Sequence, residues 1–398
     1  MASGNPLHIL EAVRARRDEW VTYLEALASI ESPTTDPVSQ APVQDLLVQS
    51  LRELSFKVRR IRACPSGGII VATPGSDRGR GHRFQLLLGH TDTVWPRGTL
   101  RTMPVEVVGS ILRGPGVFDM KAGLAHVIIA LRVLRDLNLE PEVAPVVLFN
   151  SDEETGSHES TRQIQRMGVR ASRVFVLEPA LGLDGRIKTA RKGMGRFSIR
   201  ILGRSAHAGL DPEQGASAIQ ELSLVVQSLH QFTDLKRGIA VNVGEVQGGV
   251  RPNVVAAEAR AEVDVRVESV EQGKWIEEQI RGLRARVPGC RLAIQGAIDR
   301  PPFERTSRNQ RLWREARRLG QEMGIELEEG LAGGASDGNT TSVITPTLDG
   351  LGGVGDGAHA AHEHVDIDRS LERCALLAVL LLLPHMSTEK SENWSLGA

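Results

Sequence analysis

The chain has 398 residues, 41% hydrophobic and 24% charged, with a formal net charge of -1. That length accommodates two domains or one large one, and the balance is that of an ordinary soluble globular protein. No basic field favours nucleic acid or an anionic membrane, and an aromatic content of 4% argues against a base-stacking surface.

In chain order, Met1 to Pro6 leads into a charged, helix-like stretch with no apolar signal core, so a cytoplasmic protein is expected. From about residue 43 to 193, apolar strands alternate with helices, the rhythm of a wound α/β sheet. Helices are expected over 43–55 and 122–137, and strands over 84–89, 144–150 and 173–177. Between about 195 and 300 the rhythm changes. Residues 196–202 alternate, 215–232 have helical apolar spacing, and strands are expected over 239–246 and 255–267. A helix carrying Trp275, Ile276, Ile280, Leu283 and Val287 follows, then a strand near 291–297. That order is βαββαβ, a ferredoxin-like sandwich. The expected architecture is α/β: a wound mixed-sheet domain with helices on both faces over 1–193 and 301–398, and a ferredoxin-like insertion over 194–300. The larger domain resumes with a helix over 310–323. The apolar run from Cys374 to Pro384 is too short to span a bilayer and reads as a buried C-terminal helix, followed by a polar tail over 387–398. Cys64, Cys290 and Cys374 are odd in number and form no CxxC pair, so a reducing compartment is expected and a disulfide framework is not.

The residues that carry chemistry recur at strand ends and glycine-rich turns. His90 closes the apolar run Phe84 to Gly89, and in an extended chain Asp92 points the same way. An imidazole there can bind a metal while the nearby carboxylate orients it. Asp119 lies in the glycine-rich stretch Gly114 to Gly123 that opens a helix, and its two oxygens can bridge two cations. Glu153 and Glu154 follow the strand Val146 to Asn150. Adjacent carboxylates point apart, so one can bind metal while its neighbour addresses an attacking water. Glu178 follows the strand Val174 to Leu177, at the end where wound sheets gather ligands. Taken alone, an acidic pair is usually solvated surface, and Asp119 could be a helix cap. The ordered recurrence, with His359 beyond it, supplies what a two-metal hydrolase requires. A dinucleotide-binding oxidoreductase does not fit, because no GxGxxG follows a first strand.

The strings GHTDTV (89–94), GPGVFDMKAG (114–123), SDEETGS (151–157), EPA (178–180), SAHAG (205–209), GGASDGN (333–339) and GAHAAHEHVDI (357–367) resemble a known family. It is that of the co-catalytic zinc carboxypeptidases and deacylases: carboxypeptidase G, aminoacylase, acetylornithine deacetylase and succinyl-diaminopimelate desuccinylase. The resemblance runs from about residue 10 to 385, and Glu178 before Pro-Ala looks most like the carboxypeptidase G branch. It implies His90, Asp119, Glu154, Glu178 and His359 as ligands of two Zn²⁺ ions, with Co²⁺ or Mn²⁺ as alternatives. Family members commonly carry a glutamate four residues after the last histidine. Glu363 stands there relative to His359, with His362 the other candidate ligand and His364 where tyrosine is usual.

The activity so implied is hydrolysis of the amide bond to a C-terminal amino acid, glutamate-type substrates first, with Glu153 as general base for a metal-activated water. Asp92 would hold His90. His207 would stabilise the oxyanion, from its own subunit or its partner in a homodimer. Asn253 would accompany it, and Arg300 would pair with a substrate carboxylate. The expected partners are small peptides or N-acyl amino acids, with neither nucleic acid nor membrane. The alternatives are an N-acyl-amino-acid deacylase and a non-catalytic amino-acid-binding homologue. Retention of Glu153 argues against the latter.

Overall fold

A computed structural model describes residues 5–61, 66–75 and 83–385. Cys64 and the tail over 387–398 lie outside the described residues. The chain divides into two compact units: one of residues up to Thr189, Arg305–Gly330 and Ser336 onward, the other of Ala190–Glu304 and Leu331–Ala335.

The first unit is built on a six-stranded mixed sheet in the order Phe56–Ile61, Ile69–Pro74, Pro145–Asn150, Phe84–His90, Ala171–Val176, Thr347–Leu348. The first two pairings are antiparallel and the last three parallel. Phe84–His90 and Pro145–Asn150 are buried at every position, which is why they read as continuous apolar runs. Alternate side chains feed two cores. Leu87, Val147, Phe149 and Phe175 join the larger core, with helices Ala122–Asp136 and Ile367–Leu381. Leu86, Leu88, Val146, Leu148, Val174 and Val176 pack in a second core with Ile164 and Met167 of helix Thr161–Arg170.

Local chemistry sets the element ends. The helix expected from residue 43 begins at Gln40, with Pro42 in its first turn, where a missing N–H costs nothing. The apolar run from Cys374 is the buried second half of helix Ile367–Leu381, capped by Asp366. At Gly123 the helix Ala122–Asp136 touches the main chain. A Cβ there would lie 1.9 Å from the Leu177 carbonyl oxygen, so only glycine lets the helix start beside the segment bearing Glu178. A smaller sheet orders Val354–Asp356, His364–Asp366, Ile111–Arg113 and Glu106–Val108. Its antiparallel pairing of His364 with Arg113 brings the loop at 357–363 against the segment at 114–119.

The second unit follows βαββαβ order, with strands Gly193–Leu202, Ala240–Gly248, Glu258–Val267 and Arg291–Arg300 and helices Ala218–Gln231 and Val270–Arg281. Its sheet is antiparallel throughout, in the order Ala240–Gly248, Glu258–Val267, Gly193–Leu202, Arg291–Arg300, the ferredoxin-like arrangement. Phe197, Ile199, Ile201, Val263 and Val265 bury one face against Leu222, Leu229, Ile276 and Ile280 of the helices. The first helix starts later than its apolar spacing suggests because Ser217 accepts from the Gln220 N–H as its cap. Cys290 and Cys374 are free and buried. Among the described residues no helix is long and apolar enough to cross a membrane.

Candidate metal centre

Three parallel strands of the first unit end side by side. His90 is the last residue of Phe84–His90 and its ladder neighbour is Asn150, the last of Pro145–Asn150. Glu178 stands two residues beyond Ala171–Val176. The acidic pair lies in the turn after Asn150, and two loops bring Asp119 and His359 to the same place.

His90 is buried. Its Nδ1 lies 3.0 Å from the Asp92 carbonyl oxygen, which can only accept, so Nδ1 carries the proton. Nε2 then faces the centre, 3.4 Å from both Asp119 Oδ1 and Glu178 Oε1, with no hydrogen-bond partner. The other Asp119 oxygen, Oδ2, lies 3.5 Å from His359 Nε2, and Glu154 Oε2 lies 3.1 Å from the same nitrogen. Asp119 thus stands between two imidazoles with one oxygen towards each. His90, Asp119 and Glu154 offer ligand atoms within 4.8 Å of one another, and so do His90, Glu153 and Glu178.

Two observations show that these residues fit divalent cations. His90 Nε2 and Glu154 Oε1 are buried polar atoms left without hydrogen bonds. The electrostatics point the same way. Burial alone would depress the His90 pKa, yet Asp119, Asp92 and Glu178 against the ring push it well above its ordinary value. Hydrogen bonding to Asp119 and Glu154 raises His359 to about 10. Burial, with Asp119 nearby, raises Glu154 to about 7 against the pull of His359. Asp119 is held below the carboxylate range despite burial, chiefly by His359 and His90. The carboxylates around both rings thus favour the protonated imidazoles, and a cation bound at the ring nitrogens would compete with those protons.

Asp92 does more than face His90 at 3.4 Å. Its Oδ1 accepts from the Glu153 N–H (3.3 Å) and its Oδ2 from the Glu154 N–H (3.1 Å) and the Thr34 hydroxyl (2.8 Å). It therefore anchors the backbone of the acidic pair. His359 holds a positive φ of 62°, a region non-glycine residues seldom occupy. His362 is set apart, its side chain 67% exposed and 4.0 Å from Asp356. The sequence reading passed over Asn150 and took Ser336 and Asp337, in GGASDGN, as rim or helix-cap groups. Asn150 donates to Ser160 and to Asp337, and Asp337 also accepts from Ser157, so the acidic turn is braced from below. Ser336 caps the helix Asp337–Ser342. Glu363, noticed only as a spacing landmark, is buried with both oxygens engaged.

His207, Asn253 and Arg300 belong to the second unit. His207 is exposed, and its Nδ1 accepts from the Gly209 and Leu210 N–H groups, both at 3.1 Å, so the neutral ring carries its proton on Nε2. The Asn253 carbonyl accepts from the Ala208 N–H, tying the two segments together. Arg300 is buried at the end of strand Arg291–Arg300.

Carboxypeptidase G2 of Pseudomonas sp. (strain RS-16) is 29% identical over 383 residues, covering 94% of this chain and 91% of that protein. Succinyl-diaminopimelate desuccinylase of Caulobacter sp. (strain K31) is 26% identical over 375 residues, covering 86% and 90%. Among solved structures, aminopeptidase PepT from Bacillus cereus superposes with a TM-score of 0.76 at 20% identity over 92% of this chain and 98% of that one. The Bacillus subtilis YXEP protein, described as a dinuclear metal binding peptidase, gives 0.65 at 15% identity over 93% and 98%. The model of peptidase family M20/M25/M40 matches residues 86–383, and the chain belongs to that family of metallopeptidases and amidohydrolases.

Proposed function

We propose that this chain cleaves the amide bond joining a C-terminal amino acid, preferentially of glutamate type, to the rest of a small peptide or N-acyl amino acid. The observation that carries the reading is the division of the acidic pair. Glu154 lies with His90 and Asp119 and turns to His359, while Glu153 lies with His90 and Glu178, and Asp92 pins the backbone of both. The relative named carboxypeptidase G2 and the motif resemblance to that branch support the substrate class.

His90, Asp119, Glu154, Glu178 and His359 would hold two divalent ions, zinc first, with cobalt or manganese as alternatives. Such ions, when bound, polarise a carbonyl oxygen and lower the pKa of water. Glu153 takes the proton of the attacking water as it adds to the scissile carbonyl, then delivers it to the departing nitrogen. Asp92 keeps Glu153 in place through its main chain. His207 donates Nε2–H to the developing oxyanion, with Asn253 as the asparagine that accompanies this histidine in the family it resembles, and Arg300 pairs with the free carboxylate of the substrate. The active form on this reading is a cytoplasmic homodimer.

Rates on N-acyl glutamates, aliphatic N-acyl amino acids and the corresponding C-terminal amides test the reading. Acids should be hydrolysed and amides poorly, with glutamates preferred. Equal rates on an acid and its amide would sink carboxylate recognition. The 26% identical desuccinylase favours the second reading, an N-acyl-amino-acid deacylase, which a preference for aliphatic acids would establish instead.

A further inference from the structure

Glu363 is 1% exposed and lies four residues after His359. Its Oε2 accepts from the Trp95 indole N–H (2.7 Å) and the Gly116 N–H (2.9 Å), and its Oε1 from the Phe118 and Asp119 N–H groups (both 3.0 Å). An ionised carboxylate is an acceptor only, with about four lone-pair positions, and all four are used here. The main chain joins in, since the Gly114 N–H donates to the Glu363 carbonyl and the Glu363 N–H to the Ala360 carbonyl. Phe118 and Asp119 sit in irregular backbone whose N–H groups need a partner when buried. That partner comes from 244 residues further along the chain, on the loop bearing His359.

We infer that Glu363 is a positioning residue that clamps the Asp119 segment to the His359 loop and presets the spacing of those two ligands before any ion binds. The inference rests on the metal-centre reading given above. With its N–H fixed from behind, Asp119 presents one oxygen to His90 and the other to His359. Glu363→Gln would keep the volume but turn an amide N–H₂ towards donors, so either the Phe118 and Asp119 N–H groups or the Trp95 indole and Gly116 N–H groups lose their acceptor.

The test uses the full-length chain, stripped by chelation and then titrated with zinc. Hydrogen exchange at Gly116, Phe118 and Asp119 is followed alongside zinc affinity from chelator competition. The three amides should be protected in metal-free wild type. In Glu363→Gln protection of Gly116, or of Phe118 and Asp119 together, should fall by about 10-fold or more, and zinc affinity by about 10–100-fold. Exchange in helix Thr161–Arg170 should stay at its wild-type level, which a general loss of structure would not allow. Wild-type zinc affinity in Glu363→Gln would overturn the clamp. So would amides that become protected in wild type only when zinc is added, a measurement that stands even where the variant fails to fold. Protected amides in a wild-type chain that takes up no divalent ion would instead overturn the reading of the centre.

Discussion

Glu153 and Glu154 are neighbours in sequence with different surroundings, and substitutions should separate them. Glu153→Gln should keep its metal content but lower kcat by about 10²–10⁴-fold, the usual worth of a general base. Near-normal turnover with full metal occupancy would remove Glu153 from that role. The histidine cluster at 359–364 gives a second contrast. His359 faces Asp119 and Glu154, whereas His362 is exposed beside Asp356. His359→Ala should therefore lose bound metal on dialysis and His362→Ala should not, as metal analysis of the two proteins will show. At this scale the location of His90, Glu154 and Glu178 was legible, because each follows a run of apolar residues that only a buried strand explains. Glu363 was not, since its partners at 95 and 116–119 are remote in sequence and a lone glutamate in a polar loop gives no local signal. Its fixed offset from His359 was the available hint.

At the scale of elements, helix Ala122–Asp136 is buried on almost every side and carries His126. His126 Nδ1 lies 3.1 Å from the Leu351 carbonyl oxygen, its Nε2 has no hydrogen-bond partner, and its ring lies 5.7 Å from Trp20. Burial first, and the charge of Arg373, push its pKa down to about 4. The folded value is below the unfolded one, so the unfolded chain binds the extra proton between about pH 6.5 and 4. The stability contributed by neutral His126 is complete above that window and lost as pH falls through it. Between pH 7 and 5 the loss should be about 2 kcal/mol. His126→Gln should flatten that part of the profile in chemical unfolding of the metal-free protein. An unchanged pH slope would show that His126 takes up its proton in the native state. Helix Ala122–Asp136 and strands Phe84–His90 and Pro145–Asn150 were legible from period and length, whereas helix Thr161–Arg170 and strands Phe56–Ile61 and Ile69–Pro74 were not expected. Nor were the three-residue strands of the small sheet, because so short a run carries no periodicity, and they are what sets the 357–363 loop against 114–119.

At the scale of the whole molecule, the proposed machinery is divided between the units: the ligands in the first, His207, Asn253 and Arg300 in the second. The change of rhythm near residue 195 announced the βαββαβ order, whereas nothing in one chain's periodicity says which subunit a loop serves. His207 is exposed, and its Nδ1 is occupied by two backbone N–H groups, so its one donor, Nε2–H, is available to a group outside its own loop. On the homodimer reading that group belongs to a substrate held by the partner subunit. His207→Ala should then cut kcat while metal content stays at the wild-type level. Mixed dimers of His207→Ala with Glu153→Gln should recover activity, for a stoichiometric reason. One of the two sites would combine intact Glu153 with intact His207, and the other would lack both, so a purified heterodimer should approach half the wild-type rate. Heterodimers as inactive as either parent would place His207 in the service of its own subunit. A chain that stays monomeric at assay concentration while fully active would remove the dimer from the mechanism altogether.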